Sequence, residues 1–294
     1  TTYTTLENVG DSVSDFAVNP GTNCRVDNVN IIGFRRGLVL DDGFDCSDVK
    51  IQFCGNLGIY IDRPGTFTGS NVKIRDVGTG GGHHAFFVDG VGHASLTTFD
   101  IDFTDVNIDN FGEDGVQTIR VADDSSIILR SSFPGGTRIG RGPLINQENN
   151  VDVKYGPITL IGAHLDWGIT GSPCITVQGF GTVITLNTSI LNSRTGNQAV
   201  RISEHEASTV IIKSRLYSDT GNALGLLGSG ETNELKFNII VSSAADGAVS
   251  NQVGEVSAQY NSFIGYNPRY IPAVTQRGYR TDETSFGASG TDSL

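Results

Sequence analysis

The sequence predicts an all-β chain wound as a right-handed parallel β-helix, a solenoid of about nine to ten coils. Three observations predict it. A small–aliphatic–any–aliphatic unit recurs along the chain, a second strand series runs in step with it, and hairpin signals such as Asn-Gly are scarce.

The recurring unit reads Gly37-Leu38-Val39-Leu40, Gly58-Ile59-Tyr60-Ile61, Ala85-Phe86-Phe87-Val88 and Gly115-Val116-Gln117-Thr118-Ile119. Later copies are Pro143-Leu144-Ile145, Cys174-Ile175-Thr176-Val177, Ala199-Val200-Arg201-Ile202, Ala223-Leu224-Gly225-Leu226 and Gly247-Ala248-Val249. Their first strong apolar positions are 38, 59, 86, 116, 144, 175, 200, 224 and 248, a step of 21 to 31 residues. The second series begins at Val29, Val49, Val72, Phe99, Ile127, Ile158, Val183, Val210 and Leu235, with nearly the same step. Alternate residues of such strands point inward. No single coil can bury its own apolar side, so neighbours must stack in parallel ladders. Asn, Asp and Gly between the strands supply corners at positive φ. A β-sandwich would need the hairpins that are scarce here.

Composition agrees. Apolar residues make up 37% of 294, with 38 glycines and many Val, Ile and Thr, as short strands with frequent turns require. Net charge is −12, which disfavours nucleic acid as a partner, and no apolar run is long enough to insert in a membrane. No signal peptide is visible in the first twenty residues, and a leader is open to prior removal because the chain starts at Thr1. Acid outnumbers base 32 to 20, Lys is scarce beside Arg and Met is absent. This suits a halophilic setting or an ordinary acidic exterior. Cys24, Cys46, Cys54 and Cys174 match neither a zinc motif nor a disulfide framework. Cys24 and Cys46, about one coil apart, are expected to stack inside the rod as free thiols.

Three segments are expected: an N-terminal cap over 1–23, the helix over 24–259, and a C-terminal cap or association segment over 260–294. The last holds Tyr260, Phe263, Tyr266, Tyr270 and Tyr279 and ends in a small, polar tail. The repeat resembles that of pectate lyases, polygalacturonases, alginate and chondroitin lyases and viral tailspikes. It covers about residues 24 to 260 and specifies the fold, not the activity.

The outward middle residue of the unit is Val39, Tyr60, Phe87, Gln117, Thr176, Arg201 and Gly225 down the stack. Val39, Tyr60 and Phe87 form an apolar strip open to three uses: stacking of sugar, a subunit interface, or cover by the chain's own loops. Tyr60, Phe87, Arg63, Gln117 and Arg201 are the candidate glycan-binding or interface residues. The turn after that strand carries Asp41, Asp42, Asp62, Asp89, Asp123, Asp124, and Glu204 and Glu206 about His205. Asp62, Asp89, Glu204 and His205 are weak catalytic candidates, as paired carboxylates would suit glycoside hydrolysis. Turn solvation explains the same residues more simply. No metal site is assigned and no cofactor expected, although such carboxylates could take Ca²⁺.

His83, His84 and His93 flank a glycine-rich turn and read best as a surface loop, without ligand spacing. Polygalacturonase chemistry is not carried over. Gly92-His93-Ala94 precedes Glu113-Asp114, the reverse of that family's order, Arg201-Ile202-Ser203 lacks its lysine, and no N-T-D exists. The ingredients of a lyase, a base beside carboxylates, exist in Lys73, Arg75, Arg63 and Asp62. Three functions follow: a virion surface spike or tail-fibre-type protein that binds host-surface polysaccharide as a homotrimer, a secreted polysaccharide lyase or glycoside hydrolase, and a non-catalytic cell-surface adhesin. The first is favoured, which places the protein on a virion surface or outside the cell and makes catalysis less expected than binding.

Overall fold

The computed structural model describes residues 2–8, 16–19, 21–78, 84–90, 98–112, 115–119, 121, 125–130, 145–147, 158–162, 164–167, 175–177, 183–193, 198–202, 208–218, 222–226, 233–242, 249–251, 256–259, 261–265, 274–277 and 280–281. Among these there is no helix. Every strand pairing is parallel, as stacked coils require and a hairpin-built sandwich forbids.

Three sheets run along the stack. Sheet I has twelve strands in chain order: Thr4–Glu7, Arg25–Ile32, Phe44–Gln52, Gly65–Val77, Phe99–Phe111, Ser126–Arg130, Ile158–Ile161, Val183–Asn187, Ser208–Ile212, Asn233–Lys236, Val256–Gln259 and Val274–Arg277. Sheet II has ten: Phe16–Val18, Arg36–Leu40, Leu57–Ile61, Phe86–Asp89, Val116–Ile119, Ile145–Gln147, Ile175–Val177, Val200–Ile202, Leu224–Leu226 and Val249–Asn251. Sheet III has six: His164–Trp167, Ile190–Ser193, Arg215–Ser218, Ile239–Ser242, Ser262–Gly265 and Arg280–Thr281. This architecture is compatible with a β-solenoid.

The core is built of columns. Leu38, Ile59, Phe86 and Val116 stack in sheet II, with Ile175, Val200 and Leu224 further on, all fully buried. Ile31, Ile51, Ile74 and Ile108 form a second column in the long sheet I strands, and Leu191, Leu216 and Ile240 form its counterpart in sheet III. Each stacked pair removes branched aliphatic surface from water, at roughly 25 cal/mol per Å². The small residue of the recurring unit has a steric cause. A Cβ at Gly37 would lie 2.6 Å from the Gly58 carbonyl oxygen, and one at Gly58 would lie 2.4 Å from that of Ala85. At Gly69, inward beside Cys46, a Cβ would stand 2.4 Å from the Phe103 ring, which fills the space the glycine leaves.

One corner repeats along the rod. By register Asn28, Asp48, Asn71, Asp105, Gly162, Thr188, Lys213 and Phe237 occupy it, all at φ between 50° and 69°. Asn, Asp and Gly are the residues that enter this region cheaply, but Thr, Lys and Phe are not. In the first half the long strands run through the corner. In the second half the chain breaks there and the continuation becomes sheet III.

The residue after the corner changes with it. Val49, Val72 and Val106 are replaced by Ser189, Ser214, Asn238 and Asn261, all buried. The Ser189 N–H donates to Ser214 Oγ (3.1 Å), the Ser214 N–H to Asn238 Oδ1 (2.9 Å), and the Asn238 N–H to Asn261 Oδ1 (2.9 Å). Asn238 Nδ2 donates to the Ile211 carbonyl (2.6 Å) and Asn261 Nδ2 to that of Leu235 (2.8 Å). Side chains thus satisfy buried backbone groups that the break in the strand takes out of the ladder.

Several expectations need correction. The ladder passes through Ile145 and Val249, not Leu144 and Ala248. The second strand series mixes two ladders: Val29, Val49 and Val72 pair onward to Val106, whereas Ile127 and Ile158 belong with Ile101. Every ladder shares the coil's step, so a jump from one to its neighbour leaves the spacing nearly unchanged. Cys24 and Cys46 do not stack on each other. Cys46 lies opposite Val26, and Cys24 is only half-buried. Residues 4–7 and 16–18 pair into sheets I and II, as do later strands up to Thr281 in sheets I and III.

Candidate functional site

Sheet II brings Val39, Tyr60, Phe87 and Gln117 into one outward column, each opposite the last across a parallel ladder. The column is not open throughout. Val39 is 8% exposed and Gln117 7%, so both are buried, while Tyr60 and Phe87 are half-buried. The accessible part is the aromatic pair.

That pair sits in a polar frame. The rings of Tyr60 and Phe87 are tilted by 35° with centroids 5.6 Å apart. The Arg36 guanidinium lies over the Tyr60 ring, 5.0 Å from its centroid, a cation–π contact. His84 packs on the far side of the pair, 5.1 Å from Phe87. The Tyr60 hydroxyl donates to Asp89 Oδ2 at 3.0 Å. The Tyr60 phenol is pushed well above its ordinary range, first by burial, then by the charges of Asp89 and Asp62, with Arg36 opposing. The phenol therefore stays protonated and its donor stays aimed at Asp89.

The turn carboxylates are engaged by the neighbouring coil. Asp41 pairs with Arg63 (3.2 Å), and Asp42 Oδ1 accepts the Thr66 N–H (2.9 Å). Asp89 accepts Tyr60, and Asp62 acts on Tyr60 through its charge. Arg201 lies in the same column as Tyr60 but five strands away, about 24 Å at ~4.8 Å per strand, so it belongs to another part of the face. Its Nε is buried and meets no acceptor among the described residues. Glu204, His205, Glu206, Asp123, Asp124, His83 and His93 lie outside the described residues. His84 corrects the reading of the histidines as surface loop, because it is buried against Phe87. Among the described residues no three His, Cys, Asp or Glu side chains converge to hold a metal ion.

Arg36 was not singled out by sequence reasoning. Its signal was its place, just before the small residue of the recurring unit, where the chain enters sheet II beside the aromatic column. The cluster offers two partly open rings, a cation and a hydrogen-bonded carboxylate on the outer face of one sheet. That combination suits a polyhydroxylated ring, which presents apolar C–H faces and equatorial hydroxyls together. Comparison with family models, with curated proteins and with solved structures finds no match.

Proposed function

We propose that the chain is a right-handed parallel β-helix of about nine to ten coils that binds host-surface polysaccharide, and that it serves as a spike or tail-fibre-type protein on a virion surface, assembled as a homotrimer. The observation that carries the binding is the Tyr60–Phe87 pair framed by Arg36 and Asp89. Parallel stacking gives a stiff scaffold that holds these groups in fixed register, which lowers the ordering cost of binding an extended chain. Arg36 favours glycans that bear carboxylate or sulfate.

One observation supports polysaccharide cleavage as a second reading. The Tyr60 hydroxyl donates to Asp89 and the charge of Asp62 also acts on it, so two carboxylates stand near one another beside the aromatic pair. Titration calorimetry against uronate-containing, sulfated and neutral polysaccharides tests both. Binding to an acidic glycan that falls at least tenfold in Tyr60→Ala and Phe87→Ala, with the glycan intact, is expected. Release of shortened or unsaturated products that Tyr60→Phe abolishes would establish the enzyme instead. Undiminished binding in the double alanine variant would overturn the site.

A further inference from the structure

We infer that the outer face of sheet I in the first half of the rod holds a second ligand site, built for a sulfate or phosphate ester on a sugar ring. Four outward residues form its floor. Lys50 and Gln52 alternate with buried Val49 and Ile51, and Lys73 and Arg75 alternate with buried Val72 and Ile74. Register sets Lys50 opposite Lys73 and Gln52 opposite Arg75. Gln52 Nε2 donates to Asn30 Oδ1 at 3.0 Å, which ties the floor to the preceding coil.

The lysines carry the argument. Two of the chain's five lysines stand on adjacent rungs, in a chain whose net charge is −12. Rungs are ~4.8 Å apart, and like charges at that spacing oppose the pairing of their strands. Among the described residues neither lysine has an ion-pair partner. The carboxylates at the rim are engaged elsewhere or stand aside. Asp76 pairs with Arg75 at 3.1 Å, Asp48 accepts from Asn71, and Asp109 lies opposite Arg75. Lys50 is held instead over the Tyr3 ring, with Nζ 3.9 Å from its centroid. That contact fixes the ammonium in place without neutralising it.

The end of the block supplies an independent observation. Phe53 follows Gln52, and its N–H donates to the Arg75 carbonyl at 3.2 Å, so it closes the same two rungs. It is 58% exposed and sits at φ 54°. Its counterparts on the neighbouring coils are Gly33 (φ 81°) and Asp76 (φ 54°), residue types that enter this region cheaply. Phenylalanine there gives up both backbone ease and burial of its ring, and packing accounts for neither. A ligand that brings an apolar ring face and an anionic group together accounts for both the ring and the uncompensated cations.

The kind of anion follows from the kind of cation. A planar carboxylate is matched by the fork of an arginine, whereas an ammonium is a point charge with donors on several sides. Two ammoniums across one rung suit a tetrahedral oxyanion that offers an oxygen to each. The inference rests on the reading of the chain as a glycan binder and names the charge class of the glycan, at a place on sheet I apart from Tyr60 and Phe87 on sheet II.

Titration calorimetry on the Tyr60→Ala/Phe87→Ala protein tests it, with dextran sulfate, dextran phosphate, polygalacturonate and plain dextran as probes. The expected result is that one or both esters bind at least tenfold more tightly than polygalacturonate, the tighter naming the ester, and that plain dextran does not bind. Lys73→Gln, a change at an exposed side chain, is expected to weaken ester binding at least tenfold with unchanged circular dichroism. Phe53→Asn in the otherwise unchanged chain is expected to keep a urea midpoint no lower than wild type, because asparagine enters positive φ readily. Absence of ester binding, equally tight polygalacturonate, or full binding by the Lys73→Gln protein overturns the site. A lowered midpoint in Phe53→Asn overturns it too, since the ring would then serve the fold. Tyr60 and Phe87 are absent from the protein titrated, so these results stand whichever way the first site is decided.

Discussion

Replacing Asn238 by valine isolates what the buried polar ladder contributes. Valine is what the first half of the rod places at this point, in Val49, Val72 and Val106, so shape and burial are tolerable there. In the second half the substitution strands two buried groups. The Ser214 N–H loses its acceptor, Asn238 Oδ1, and the Ile211 carbonyl loses its donor, Asn238 Nδ2. Each orphaned buried group costs roughly 1–3 kcal/mol, so the pair costs about 2–6 kcal/mol. The extra apolar burial of valine offsets about 1 kcal/mol of this. A net loss of several kcal/mol is expected as a lower urea midpoint. The single tryptophan, Trp167, lies in the first strand of sheet III and gives a fluorescence signal from the affected half. An Asn238→Val protein with the wild-type midpoint would refute the reasoning, because the ladder would then be a filler that valine replaces freely.

Four further outcomes are expected. Gly69→Val should destabilise by about 1–3 kcal/mol through overpacking against Phe103, read as a lower urea midpoint, whereas Gly55→Ala, with nearest atoms at 3.9 Å, should change it little. Cys46 and Cys54 should resist a thiol reagent near neutral pH until the chain unfolds, because burial pushes both thiols up to about 12, while half-buried Cys24 should react. The same shift sets a pH dependence. These thiols are harder to ionise in the folded chain, so their contribution to stability is full below the ordinary thiol value of 9.0 and is lost as pH rises towards about 12. Ultraviolet titration should show one tyrosine, absent in Tyr60→Phe, ionising later than the exposed ones; Tyr60 stabilises the fold below the ordinary value of 10.0 and ceases to as pH rises beyond it.

Periodicity made the sheet II ladder legible because its small residue and flanking aliphatics are each fixed by contact with the next coil. Leu38, Ile59, Phe86 and Val116 sit where the spacing put them. Sheets I and III were less legible, since neighbouring ladders advance with one step and a sequence offers no mark of which is being followed. The corner was legible at Asn28, Asp48, Asn71 and Asp105, whose residue types favour positive φ, but not at Thr188, Lys213 and Phe237, whose types oppose it. At the site, alternation predicted that Tyr60 and Phe87 share a column, and register places them there. Alternation says nothing of how deeply an outward residue is covered, so the burial of Val39 and Gln117 was not foreseeable. Nor was Arg36, which reaches Tyr60 from the preceding coil through a contact no local pattern encodes.

The ladders join residues whose separation along the chain varies freely. Asp27 and Ser47 touch across 20 residues, Thr68 and Asp45 across 23, Arg130 and Asp102 across 28. What lies between two rungs is not measured by the rungs. A coil can therefore lengthen at a turn, and gain a new loop beside Tyr60 or anywhere else on the flank, while every column inside keeps its neighbours. Such a framework tolerates change on its outside at little risk to its inside.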